Sequence, residues 1–205
     1  MTIAVRSMGL PRRIASGGSK IKLTEFVARL RQPWIARTLY LVACHVGWFV
    51  SVLSAARHLA WIGAVFSLCM FVYHLIVAER PRDEAILACI VLLGAACWES
   101  AIVRTHVIVY ATGTLWPGTA PYWILALWLQ LAIQVNVLLA WFKRHLWLAA
   151  LLGAVAGPLS FRAGVAMGAA RFPDAAFATG VLAIGWACLF PALMVLGRRW
   201  NGMTA

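Results

Sequence analysis

The chain has 205 residues, 63% of them hydrophobic, and a mean hydropathy of +0.86. A water-soluble domain averages roughly 45–50% apolar residues, so the composition excludes that class and leaves room for one compact membrane domain. The formal charge of +12 does not indicate a nucleic-acid partner, because the basic residues gather at the ends of apolar runs, where membrane topology puts them.

Residues 1–33 form a basic tail. Within it, KIKLTEFVARLRQ gathers Ile21, Leu23, Phe26, Val27 and Leu30 largely on one helical face and basic residues on the other. That pattern suits either a short helix lying on an anionic leaflet or a disordered basic arm. Residues 34–197 read as one transmembrane domain, and 198–205 as a short tail. Six spans are expected, at about 36–56, 59–78, 85–103, 121–142, 146–169 and 175–196, each near the ~20 residues that cross a hydrocarbon layer. The charged turn ERPRDE (79–84) separates the second from the third. Residues 104–120 form an outer connection that either extends the third helix or dips into the interface. With the N-terminus inside, fourteen of the eighteen Lys and Arg residues fall on cytoplasmic segments. This bias predicts an all-α, polytopic integral membrane helix bundle with both termini cytoplasmic. Trp34, Trp116, Trp123, Trp141, Trp147 and Trp200 lie near span ends, as interfacial anchors do, whereas Trp48, Trp98, Trp128 and Trp186 fall deeper.

Polar residues at depth carry most of the functional information, because each needs a partner. Arg162 lies roughly 24 Å along the fifth helix and Glu99 roughly 21 Å along the third, so the two are expected to face each other or share a polar pocket. Arg104 is the competing partner for Glu99. His45, His74 and Asn136 form a second polar layer nearer the cytoplasmic face. Gln130 and Gln134 share a face at i, i+4, a spacing that serves interhelical hydrogen bonding. In the fifth span, Ala149, Gly153 and Gly157 form one small-residue ridge, and Ser160, Gly164 and Gly168 another. Such ridges admit a neighbouring helix of this chain, of a second copy or of a membrane partner. Pro158 between them lacks an N–H and predicts a kink or break near the bilayer midplane. Broken helices at that depth mark substrate sites in many transporters and plain packing kinks elsewhere.

The five cysteines all sit in apolar runs without CxxC or Cys/His spacing, so no metal site is expected. No Walker motif, HxxxH box or nucleophile elbow occurs, and no cofactor is implied. No catalytic residue is identified, and enzymatic activity is left open.

The runs PYWILALWLQLAIQVNVLLAWF and LLGAVAGPLSFRAGVAMGAA carry a resemblance. The chain resembles a family of small bacterial inner-membrane proteins classed as a domain of unknown function, whose members share a G-A-x-x-G-P-L-S-[YF]-x-A-G-x-x-x-G-A segment. Gly153 to Ala169 match that segment, and Asn136 with Trp141-Phe142 match the end of the preceding span. Two positions depart from the pattern: an Asn-His-Ser-Leu-like stretch is Asn136-Val-Leu-Leu here, and the family's Asp is Glu99. The resemblance, over about residues 36–197, implies a polytopic inner-membrane protein and no established reaction.

Three functions fit these residues. In the first, the chain binds or helps modify a membrane lipid or other amphipathic ligand, with Arg162, Glu99, Arg104, Ser160 and Gln130 as candidate contacts. Alternatively it is a small-molecule transporter, or a structural or accessory subunit. The lipid reading leads, because most spans are apolar all round and the polar residues are too few to line an aqueous route.

Overall fold

A computed structural model describes residues 33–203; the interfacial helix expected in the basic tail lies outside them. The described chain is built from α1 (Pro33–Ala56), α2 (Trp61–Val77), α3 (Pro81–Arg104), α4 (Tyr122–Val135), α5 (Leu146–Ala166) and α6 (Ala175–Arg199). Among the described residues, four stretches are long and apolar enough to cross a membrane: Arg37–Ala56, Pro81–Arg104, Leu146–Ala166 and Ala175–Arg199. Helices α2 and α4, of 17 and 14 residues, are apolar but shorter.

Two helix boundaries differ from the sequence expectation. Helix α3 begins at Pro81 rather than Ala85, with proline in the first turn, where its missing N–H leaves no bond unmade. Helix α4 stops at Val135 instead of running to residue 142, and a 3-10 helix, Ala140–Arg144, follows. The Gln134 carbonyl takes the N–H groups of Val137, Leu138 and Leu139 as the chain turns. Lys143 is thereby drawn into the interior.

The connection from α3 to α4 does not extend α3. That helix ends at Arg104, and His106, with a left-handed φ of 55°, turns the chain back. Val107 and Ile108 are buried, and a two-residue strand β1 (Val109–Tyr110) pairs antiparallel with β2 (Ala170–Arg171). This short ribbon ties the end of α3 to the α5–α6 turn.

Helix α5 is continuous from Leu146 to Ala166, so at Pro158, where the sequence predicts a kink or break, no break occurs. Proline removes one intrahelical bond, and the close fit of α6 along this segment holds the helix together around it. A Cβ on Gly153 would stand 2.3 Å from the Trp186 carbonyl oxygen, and one on Gly157 2.3 Å from the Trp186 ring. The first ridge therefore seats α6. The second faces α1, where Val52 and Ala56 lie 4.0 and 3.9 Å from the Cβ positions of Gly164 and Gly168. Gly168 also ends the helix: its φ of 86° closes a Schellman turn, with Ala169 N–H on the Gly164 carbonyl and Gly168 N–H on that of Val165. Helix α6 then starts on Asp174, whose carboxylate accepts from the N–H groups of Ala176 and Phe177.

Candidate functional site

The buried stripe of α3 runs Glu84, Leu87, Ala88, Val91, Ala95, Glu99, Ile102. Its three- and four-residue spacing is that of a helix face turned to a core. Both acids belong to that stripe, one towards each end, and each anchors a polar centre.

The first centre surrounds Glu84, which is 2% exposed. His74 Nε2 lies 2.9 Å from one carboxylate oxygen, and the other accepts from Asn136 Nδ2 and from the Gly202 N–H, both at 2.7 Å. Since His74 Nε2–H donates to the carboxylate, its Nδ1 accepts from the Tyr40 hydroxyl at 2.6 Å in the neutral tautomer. Lys143 Nζ donates to the Asn136 side-chain carbonyl oxygen. Burial pushes the Lys143 ammonium below the usual lysine range, and the Glu84 carboxylate opposes that shift. The chain after α6 closes this centre. Asn136 Nδ2 donates to the Trp200 carbonyl at 2.9 Å, and the Gly202 carbonyl accepts from Glu79 and Arg80 N–H at 3.0 and 3.1 Å. A Cβ at Gly202 would meet the Arg80 carbonyl oxygen at 2.3 Å, so the contact needs glycine.

The second centre surrounds Glu99, which is fully buried. Its carboxylate accepts from Trp128 Nε1 at 2.8 Å and from the Tyr110 hydroxyl at 2.7 Å. The expected pairing with Arg162 is not formed. The returning α3–α4 connection brings Tyr110 onto Glu99, and α4 brings Trp128, so both oxygens are taken. Arg162 lies exposed on α5 with no hydrogen bond or ion pair among the described residues. Arg104 does not fold back either: its Nε donates to the Gly118 carbonyl at 3.0 Å.

Between these centres, α1, α4, α5 and α6 enclose a groove of about 230 Å³. Trp48, Trp128, Phe161 and Trp186 supply aromatic walls, and the indoles of Trp128 and Trp186 stack with centroids 4.7 Å apart. Its polar side chains are few. Ser160 accepts from Trp48 Nε1 at 3.0 Å, Gln130 Nε2 donates to Ser67 at 2.6 Å, and Gln134 Nε2 donates to the Gln130 backbone carbonyl at 2.9 Å. Ala156 and Ser160 line the groove and are exposed, so it opens on the surface of the bundle.

Of the candidate contacts, Ser160 and Gln130 line this groove, while Glu99 stands behind its Trp128 wall. Arg162 and Arg104 do not line it. His74 and Asn136 meet through Glu84; His45 stands apart, exposed, with Nδ1 on the Leu41 carbonyl of its own helix. Three members of the first centre, Glu84, Tyr40 and Lys143, are not singled out by the sequence. Glu84 reads as part of a charged turn, although starting α3 at Pro81 puts it in phase with the apolar stripe. Nothing local marks Tyr40 or Lys143, because the groups that engage them come from elsewhere in the chain.

These features define a helical, membrane-type bundle with a lateral apolar groove and two buried acidic centres. The chain belongs to DUF2878, a family of proteins of unknown function, which it matches over residues 37–192. No curated protein and no solved structure matches it.

Proposed function

We propose that the protein is a multi-pass protein of the bacterial inner membrane, with both termini cytoplasmic, that binds a membrane lipid or similar amphipath in the α1/α4/α5/α6 groove. The observation that carries this reading is the groove itself, apolar, walled by tryptophan and open where Ala156 and Ser160 are exposed. At about 230 Å³ it is smaller than the roughly 300–1,000 Å³ of sites that enclose a whole small molecule, which suits one chain of a larger ligand. The orientation rests on the excess of Lys and Arg in the segments assigned to the cytoplasm.

Photo-crosslinking tests the reading. In nanodiscs, a diacyl lipid with a diazirine in its chain should label α5 between Leu152 and Phe161. Ala156→Phe, which fills the groove, should lower that labelling about tenfold, equivalent to about 1.4 kcal/mol of binding. Leu159→Phe, on an exposed position outside the groove, is the control. Equal labelling of both variants and wild type would remove the groove as the binding site.

A further inference from the structure

We infer that the groove selects a lipid whose polar group is uncharged and carries both a hydroxyl and a carbonyl oxygen, of the diacylglycerol kind, rather than an anionic headgroup. This deepens the lipid reading and rests on it. Among the described residues, the lining includes no Asp, Glu, Lys, Arg or His. A phosphate or carboxylate held there would be a desolvated charge without a counterion, a state that costs far more than burying a hydroxyl or ester. Arg162, next to Phe161 on α5, is exposed and is not part of the lining.

The neutral polar groups are complementary to such a ligand. Ser160 uses its oxygen to accept from Trp48, which leaves its O–H free to donate to an ester carbonyl. Gln134 spends one N–H on the Gln130 backbone carbonyl, and Gln130 spends one on Ser67. Their side-chain carbonyl oxygens have no donor among the described residues, so they can accept from a ligand hydroxyl. The Ser160 O–H, the second N–H of each glutamine and the Trp186 Nε1–H, unpartnered among the described residues, are thus donors, and the two glutamine carbonyl oxygens acceptors, along an apolar slot.

Two photoreactive probes with identical diazirine chains, a diacylglycerol and a phosphatidic acid, test this in nanodiscs of uncharged lipid. The readout is labelling of the tryptic segment 145–162, which becomes 145–171 in Arg162→Ala. Wild type is compared with that variant and with Ala156→Phe, Ser160→Ala and Gln134→Leu. The diacylglycerol should label at least about tenfold more strongly than the phosphatidic acid, a difference of about 1.4 kcal/mol. Ser160→Ala and Gln134→Leu should each lower its labelling about two- to tenfold, the worth of one hydrogen bond. Equal labelling by both probes that Ala156→Phe abolishes would overturn the selectivity and leave the groove reading standing. Preferential phosphatidic acid labelling that Arg162→Ala removes would overturn the selectivity in favour of an anionic site. Labelling by either probe that is indifferent to Ala156→Phe would overturn the groove reading itself.

Discussion

The carboxylates of Glu84 and Glu99 are both buried, yet they are satisfied by different means. Glu84 has an imidazole, an amide, a backbone N–H and a nearby ammonium; Glu99 has an indole and a phenol and, among the described residues, no cation. Replacing Glu84 with Gln puts an amide N–H against donors and leaves Lys143 without its compensating charge. A loss of about 3–5 kcal/mol is expected, as for other buried pairs broken on one side, and thermal unfolding in detergent would read it as a large fall in Tm. Around Glu99, a double-mutant cycle separates the observed partner from the expected one. Glu99→Gln with Trp128→Phe should couple by about 0.5–3 kcal/mol, and Glu99→Gln with Arg162→Ala by less than about 0.5 kcal/mol. Coupling to Arg162 as large as that to Trp128 would contradict the geometry of this centre.

Packing of the helices depends on where glycine is required and where it is not. A Cβ on Gly157 collides with the Trp186 ring, whereas one on Gly94 of α3 meets nothing within 4 Å among the described residues. Gly157→Ala should therefore destabilise the bundle by about 1–3 kcal/mol through overpacking. Gly94→Ala should be neutral or stabilising by up to about 1 kcal/mol through helix propensity. Equal thermal stabilities of the two variants would refute the close α5–α6 contact. The small-residue ridges and the apolar runs are legible in the sequence because they are local and periodic. The end of α4 is not. LAIQVNVLLAW stays apolar past Asn136, and the carboxylate that engages Asn136 belongs to Glu84, 52 residues away. The return of residues 104–120 is hidden for a related reason, since it turns at His106, a non-glycine residue at positive φ.

For the whole molecule, the proposed orientation is open to direct measurement. In a variant without the five native cysteines, Thr114→Cys should react with a membrane-impermeant thiol reagent added to intact cells, and Arg82→Cys only after permeabilisation. The opposite pattern would invert the topology. The two ends of the bundle are also joined through α3. Glu84 and Glu99 are 15 residues apart on one helix, about 22 Å of rise, and differ by only about 60° around its axis. A single residue added between them would swing one carboxylate by about 100°, away from its partners. Helix α3 is thus an indexed spacer: the α3–α4 connection can change length by residues, but the segment between the two acids can tolerate substitution and not insertion.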